Sequence, residues 1–398
     1  MAGIGAGAGG RSGARPGSGP GPASRVTGAN LLALRSHNAA LLLDLLRRAG
    51  RMGISRLELA ERTGLTPQAV SKITARLRDD GMVTEAGRQA STGGKPRTVL
   101  RLVPEAGHAV GLHLDRDELR VVLVDLTGAV AGERRAALDL GAGAEAVLGA
   151  VVAEIGEVVA GSAAGRSGAV PGPDAAARTA VLGVGVAMPG PLDHTHGVLH
   201  RVTGFPEWDG FPLRDELARR LGVPVVLDKD TNAAALGLAV GGEVGAFAYL
   251  HLGTGLGAGL VLGGAVHRGA RTGAGEFGHQ VIQLDGPPCS CGNRGCVEAL
   301  CLAAVARGDV DEAARVLGEG AANLVWLLDI DLILLGGRTV AAEPERFVRG
   351  VGAALDAHAQ RAGAGSPVPV RVASGEARAV AEGAAQLLLA PLFGRAEA

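Results

Sequence analysis

Three thiols and one imidazole stand close together late in the chain. Cys289-x-Cys291-x4-Cys296 begins ten residues after His279. Zinc favours tetrahedral sulfur and imidazole ligands, and Cys3His fills the tetrahedron, leaving no open position for water. The set predicts a structural zinc held by His279, Cys289, Cys291 and Cys296, with a redox-active thiol pair as the alternative. The glycines of CGNRGC let such a loop fold back tightly around an ion. Three of the four cysteines fall within eight positions, a clustering that reads as metal before disulfide in a chain with no secretory start. The fourth, Cys301, sits in VEALCLAAV and reads as a small core residue.

A second constellation lies near the start. Ser55-Arg-Leu-Glu58 has the form of a capping box, in which Ser55 caps an early amide and Glu58 reaches back. Thr63-Gly64-Leu65 turns the chain. Thr66 then caps a further helix with Pro67 at its first position, where a missing N–H costs nothing. That helix is expected to end near Asp80-Gly81, with Val70, Ile73 and Leu77 as its buried stripe. Gln68, Ser71, Lys72, Ala75 and Arg76 are left on its outer face. Glutamine can pair bidentately with adenine, while lysine and arginine reach guanine or phosphate. Two strands, near Met82–Glu85 and Thr98–Leu102, flank the loop STGGKPR and make a wing carrying Arg88, Lys95 and Arg97. A slim basic loop of this kind can enter a minor groove or clamp phosphates. The segment therefore predicts a winged helix-turn-helix reader of double-stranded DNA. A helical hairpin used only for dimerisation is the alternative.

The elements that position these groups follow from composition and pattern. At 398 residues the length suits two or three domains, and 47% hydrophobic residues supply a sizeable core. With 2% aromatic residues, that core must be mostly Ala, Val and Leu. Residues 1–25 are Gly, Ala, Pro and Ser monotony and read as a disordered tail, with Arg11 and Arg15 free to brush phosphates. Leu31, Leu34, Leu41, Leu42, Leu45 and Leu46 share one helical face, and Gly50 and Gly53 close that helix. The reader spans 26–104 and a larger region spans 108–395. Its strands alternate with helices, an α/β pattern. A helix is expected over Ala144–Ala160, followed by a flexible insertion over 161–178. Two glycine-rich strand pairs hint at two similar halves.

The net charge of -1 gives no whole-chain case for nucleic acid, so the DNA case is local. Lys72, Lys95 and Lys229 are the only lysines. No stretch reaches the length of a membrane span and no signal peptide opens the chain, so no membrane partner and a cytoplasmic location are expected.

At GAGEFGHQVIQLDGPPCSCGNRGCVEAL (273–300) the sequence resembles the ROK (repressor, open reading frame, kinase) family, matching its GAGEIGH and CxCGxxGCxE signatures. HLGTGLGAGLVLGG (251–264) looks like the family's second phosphate loop, and DKDTNAAALG (228–237) is similar to its acid-Asn-Asp-Ala-Asn-Ala-Ala-Ala segment. The likeness runs from about 108 to 395. The preceding winged helix is what the repressor branch carries. The resemblance implies a two-lobed actin- and hexokinase-like (ribonuclease H-like) fold with a sugar in the cleft. By that pattern Asp230 stands where the catalytic base stands, Glu276 and Glu298 where hydroxyl-binding carboxylates stand, and His279 where a zinc ligand beside the sugar stands. Carboxylates do accept pairs of sugar hydroxyls. An ion on His279 and the cysteines would steady Glu276 and Glu298. Asp230 also reads as a helix N-cap.

The departures from the pattern decide between enzyme and sensor. Family kinases begin with Asp-x-Gly-Gly-Thr, a loop that wraps ATP phosphates. The same place here reads His113-Leu114-Asp115-Arg116-Asp117. The glycines are gone and carboxylates are expected where phosphates would lie, so like charge should repel ATP. Asp230 is then a vestigial base, and no useful kinase activity is expected. The sugar-binding Asn before the base is replaced by Lys229, and the Asn of a second loop by Gly204. Lys229 either binds an acidic or phosphorylated ligand or pairs with Asp230 or Glu276 and fills the pocket. The expected function is a transcriptional regulator of carbohydrate genes, a repressor in kind, answering to a sugar or sugar derivative and working as a homodimer or homotetramer on two half-sites. An ATP-dependent sugar kinase and a ligand-blind DNA-binding dimer are the alternatives.

Overall fold

The computed structural model describes residues 31–89, 97–167, 180–200, 202, 205–363 and 368–395. The expected tail, Lys95 of the wing and Gly204 lie outside the described residues.

The reader is built as its capping signals dictate. Helix α1 (Leu31–Ala49) is followed by β1 (Ile54–Ser55), α2 (Arg56–Thr63), α3 (Pro67–Asp79), β2 (Val83–Gln89) and β3 (Arg97–Leu102). The amide of Glu58 donates to Ser55 Oγ at 3.3 Å, and the amide of Ser55 donates to Glu58 Oε2 at 2.9 Å. Gly64 closes α2 in the left-handed region at φ 69°. Thr66 Oγ1 accepts from the Ala69 amide at 3.2 Å and starts α3, with Pro67 in its first turn. The three strands form an antiparallel sheet in the order β1-β3-β2. One expectation for α3 changes. Its fully buried stripe is Val70, Thr74 and Leu77, and Ile73 is only half-buried. Thr74 can be buried because its hydroxyl donates back to the Val70 carbonyl at 2.9 Å, leaving no unpaired polar atom.

Two lobes follow, each on a five-stranded mixed sheet. The first contains β4 (His108–Leu114), β5 (Glu118–Asp125), β6 (Val130–Ala137), α4 (Ala144–Ser167), β7 (Val181–Met188), the hairpin β8 (Leu192–Asp193) and β9 (Val198–Leu199), α5 (Leu213–Leu221) and β10 (Val225–Lys229). Helix α6 (Asp230–Gly241) then leads to the second lobe. That lobe contains β11 (Phe247–Leu252), β12 (Leu256–Leu262), β13 (Ala265–Val266), α7 (Val297–Ala306), α8 (Val310–Leu328), β14 (Leu332–Gly336), α9 (Arg338–Ala342), α10 (Pro344–Ala362) and β15 (Val370–Val372), after which α11 (Ala379–Leu389) crosses back to pack on the first sheet. The sheet orders are β10-β7-β4-β5-β6 and β13-β12-β11-β14-β15. In each, an antiparallel meander of three strands is extended by two parallel strands. The β4–β5 turn and the β11–β12 turn therefore occupy equivalent places in the two lobes, which makes the hint of two similar halves concrete.

Helix α4 runs to Ser167, beyond the expected end at Ala160. The segment 161–167 is Gly, Ser, Ala and Arg with no proline, and an isolated glycine costs a helix only about 1 kcal/mol. The remainder of the expected insertion, 168–178, lies outside the described residues.

Apolar clusters fill each lobe, and a further cluster joins β11, α6 and α11 between them. Helices α6 and α11 cross at glycine: a Cβ on Gly383 would lie 1.9 Å from the Ala233 carbonyl oxygen, so any side chain there would push the helices apart. Among the described residues, the reader's buried apolar side chains form no cluster separate from the first lobe. Leu42, Leu46, Leu59, Val70 and Leu100 pack in one cluster with Val122 and Val124 of β5 and with Ala385, Leu389 and Phe393 of the C-terminal segment. Only a short link, Val103–Gly107, separates reader and first lobe, and Pro104–Ala106 within it forms a 3-10 turn.

Candidate functional site

The Cys-His set converges as expected from its spacing. His279 ends a single 3-10 turn, Phe277–His279, and Cys296 is the residue flanking the start of α7. Cys289 and Cys291 come from the turn between them. One ligand atom from each of His279, Cys289, Cys291 and Cys296 lies within 4.8 Å of all the others. Cys291 Sγ is 3.7 Å from Cys296 Sγ, and Cys289 Sγ is 3.6 Å from His279 Nδ1. A tetrahedral zinc with bonds of about 2.3 Å to sulfur sets neighbouring sulfurs roughly 3.8 Å apart, so the donor set fits that ion. The loop closes because Gly295 takes φ 66° and would bring a Cβ to 1.6 Å from the Gln283 carbonyl oxygen. In the metal-free chain the thiols differ. The Asn293 amide pulls Cys291 down, while burial first, then Cys291 and Cys289, pushes Cys296 up to about 12. Cys301 is buried in α7, donates to the Ala313 carbonyl and takes no part in the cluster.

The carboxylates expected to hold hydroxyls gather next to this group. Lys229, Asp230, Glu276, His279 and Glu298 line one cleft between the lobes, together with Asp115, Thr254 and Gly255. Each is already engaged. Glu298 Oε2 accepts from the Leu256 amide at 2.8 Å. Lys229 Nζ lies 3.0 Å from Glu276 Oε1 and donates also to the Ala274 carbonyl. Lys229 thus pairs with Glu276 rather than with Asp230, and its side chain is only 3% exposed. Asp230 is the first residue of α6 and Lys229 flanks it, so Asp230 is not the N-cap; its Oδ1 accepts from the next amide, Thr231, at 2.6 Å. The cavity left has a volume of ≈ 90 Å³, against about 300 Å³ or more for ordinary small-molecule pockets. Behind the cleft, Asp228 is buried and accepts from Arg268 Nε at 2.7 Å and from Asn232 at 2.8 Å. A buried acid needs such partners.

The β4–β5 turn departs from the sequence expectation of free carboxylates. Arg338, at the start of α9 in the opposite lobe, donates through Nη1 and Nη2 to both oxygens of Asp117 at 2.9 and 2.8 Å and through Nη2 to Asp115 at 3.0 Å. The hydrogen bond from Arg338 holds Asp117 below its ordinary value, and the same bond raises Arg338. Arg116 and Arg338 balance Asp115 and Asp117, so like-charge repulsion is not what this turn offers a phosphate. The turn is occupied instead, by a guanidinium that ties the lobes together. Across from it, the β11–β12 turn keeps Gly253 and Gly255, and Thr254 Oγ1 faces Asp115 Oδ1 at 3.4 Å. Beside it His113 is enclosed, and burial lowers its pKa.

On the reader, Gln68, Ser71, Lys72, Ala75 and Arg76 are all exposed on one side of α3. Arg78 instead turns to Glu85 of β2 at 3.2 Å, and Arg56 reaches Thr74 at 3.4 Å, fixing α3 against its sheet. Arg88 and Arg97 lie in the paired wing strands, Arg88 opposite Thr98 and Arg97 opposite Gln89.

Sequence reading missed Arg338, Arg268 and the C-terminal Arg395. The signal for Arg338 was present, as an arginine directly after the Gly336-Gly337 pair. Arg268 and Arg395 had no local signal, because their partners lie 40 and more residues away.

A capped helix-turn-helix with a wing, fused to two kinase-like lobes around a carboxylate-lined cleft, defines the class: a DNA-reading module on a sugar-kinase-like scaffold. Residues 173–304 match the ROK family model, and residues 38–91 match a Crp-like helix-turn-helix domain. The xylose repressor of Caldicellulosiruptor bescii is 31% identical over 248 residues, which is 62% of this chain and 59% of that protein, so the match spans about three-fifths of the relative. The ROK hexokinase of Thermus thermophilus is 30% identical, with a TM-score of 0.56, covering 72% of this chain and 98% of the hexokinase. A ROK family transcriptional regulator described as a homologue of the E. coli MLC protein superposes with a TM-score of 0.71 at 23% identity, covering 91% of this chain and 98% of that one, and shares its fold. The chain belongs to the ROK family.

Proposed function

We propose that this chain is a sugar-responsive DNA-binding transcriptional repressor of carbohydrate metabolism genes. Residues 26–104 read the operator and residues 108–395 sense the effector. The observation that carries the reading is the pairing of an exposed Gln68–Ser71–Lys72–Arg76 face with a reader whose core is continuous with the first lobe. A domain packed in this way is suited to follow the state of the lobes. The repressor name of the Caldicellulosiruptor bescii relative supports the same reading.

Gln68, Ser71, Lys72 and Arg76 contact bases and phosphates in a major groove, and Lys95 and Arg97 of the wing clamp the backbone. Lys229, Asp230, Glu276, His279 and Glu298 form the effector seat. Lys229 and Glu276 must part for a ligand to enter, which favours a sugar derivative carrying an acidic group able to take over Lys229. Zinc on His279, Cys289, Cys291 and Cys296 is structural. It fixes the start of α7, and so Glu298, relative to Glu276. The protein acts in the cytoplasm as a homodimer or homotetramer on paired half-sites. Among the described residues no helix is long and apolar enough to cross a membrane.

The likeness to a hexokinase and the survival of Asp230 favour a second reading, an ATP-dependent sugar kinase. The Arg338 bridge over the first phosphate turn argues against it. Fluorescence anisotropy on DNA from the region upstream of its own gene, with a salt titration, tests the regulator reading. The expected result is salt-dependent, sequence-preferring binding. Lys72→Ala should weaken it on all sequences and lower the salt slope by about one, while Gln68→Ala should cost about 1–3 kcal/mol of base discrimination. Binding that shows no sequence preference and no response to either substitution would remove the reading.

A further inference from the structure

The reader touches the two lobes in two different ways. Its apolar anchor is shared with β5 and α11, elements that pack on the first sheet. Its polar anchor goes elsewhere. Helix α6 starts in the cleft at Asp230, packs on β11 and β12 of the second lobe, and ends at Gly241. At that far end Arg395 Nη1 reaches the carbonyl oxygens of Ala239 at 3.5 Å and Val240 at 3.4 Å, while Arg395 Nε lies 3.5 Å from Asp44 Oδ1 on α1. Asp44 is also held by Arg48 at 2.7 Å, and the Arg47 guanidinium stacks 4.7 Å over the Phe393 ring. A cation is well placed at the C-terminal carbonyls of a helix, where the dipole is negative.

We propose that Arg395 is a positioning residue that carries the lobe arrangement to the DNA reader: it couples the cleft-derived helix α6 to Asp44 of α1 while the apolar anchor stays on the first lobe. The argument is geometric. A helix of 12 residues is a stiff rod of roughly 18 Å, so movement at its cleft end appears at its other end. Helices α6 and α11 cross at Gly383 with backbone against backbone, and that crossing is the fulcrum about which the rod tilts. A ≈ 460 Å³ cavity bordered by Arg48, Val240, Arg268, Pro391 and Arg395 leaves the rod's end room to move beneath α1. The Arg395 bridge re-forms or breaks when it does. In the arrangement seen here, with Arg338 holding the lobes together, the bridge is made and α1 is held. Opening of the lobes draws α6 away and releases it.

This inference rests on the regulator reading for its biological use, but its test needs neither DNA nor sugar. Hydrogen exchange is followed in α1 of the full-length protein, its metal complement intact, for the wild type, Arg338→Ala, Arg395→Ala and the double variant, with Asp44→Asn as a second way to cut the bridge without touching the apolar anchor. Arg338→Ala unlatches the lobes and should speed exchange over residues 40–49 about threefold; Arg395→Ala and Asp44→Asn should do the same, and the double variant should add nothing further. Exchange in α1 that stays at the wild-type rate in Arg338→Ala, or effects that simply add in the double variant, would overturn the proposal. Absence of sequence-preferring DNA binding would instead remove the regulator reading and leave this result standing.

Discussion

The β4–β5 and β11–β12 turns are equivalent in topology but are held by opposite means. The first has lost its glycines, stands at the surface, and is gripped by a guanidinium from the other lobe. The second keeps Gly253 and Gly255 and is held by Glu298, whose carboxylate accepts the Leu256 amide and whose helix starts at Cys296 of the Cys-His cluster. A turn held by exposed charge pairs can open at small cost, because such pairs contribute about 0–1 kcal/mol. A turn buttressed by a carboxylate–amide bond opens at greater cost, because a hydrogen bond to a charged group contributes about 1.5–3 kcal/mol. The difference separates a turn occupied by a guanidinium from one braced by a carboxylate.

The sharpest way to break this contrast is at the Cys-His cluster. Cys296→Ser should release the metal, free α7 and Glu298, and lower the thermal midpoint by about 10 °C or more, since structural zinc contributes folding free energy directly. Scanning calorimetry with metal analysis checks it; a midpoint within a degree or two of the wild type would show that the second turn does not depend on the cluster. Next comes the bond itself. Glu298→Gln replaces a charged acceptor by a neutral one and should cost about 1–2 kcal/mol in urea unfolding.

Within the cleft, Lys229→Asn removes the buried cation that occupies the space beside Glu276. Affinity for a neutral hexose, read by calorimetric titration with glucose, should rise about tenfold, or about 1.4 kcal/mol. No gain would mean that Lys229 is not what keeps the seat closed. The smallest effect is expected at the first turn. Arg338→Ala should change global stability by less than about 1 kcal/mol. The sign with pH follows from Asp117, whose folded-state pKa is lowered by the Arg338 hydrogen bond. Its contribution is full above the ordinary carboxylate range and is lost as pH falls through the lowered value. The gap between wild type and variant should therefore be constant at neutral pH and close in strong acid.

Much of this was legible in the sequence because the informative residues are local to one another. Ser55 with Glu58, Thr66 with Pro67, and the Cys289–Cys296 run each declare their partners within a few positions. The two-lobed plan came from the resemblance of DKDTNAAALG and HLGTGLGAGLVLGG to ROK family segments. What escaped was contact between distant segments. Arg338 closes on residues more than 220 positions earlier, Arg395 on a carbonyl 155 positions earlier, and the reader borrows its core from α11. No periodicity encodes such pairings. Thr74 was missed for a different reason: hydrophobic pattern does not register a hydroxyl that satisfies itself on its own helix.

In the proposed function the cleft reports a sugar to the reader and does not phosphorylate it. Its most direct test is anisotropy of the full chain on its own upstream DNA, titrated with neutral, acidic and phosphorylated sugars in the presence and absence of ATP and Mg²⁺. The account predicts that one sugar class shifts DNA affinity and that ATP changes neither the shift nor the sugar. A response that requires ATP, with ADP released in step with it, would contradict the claim.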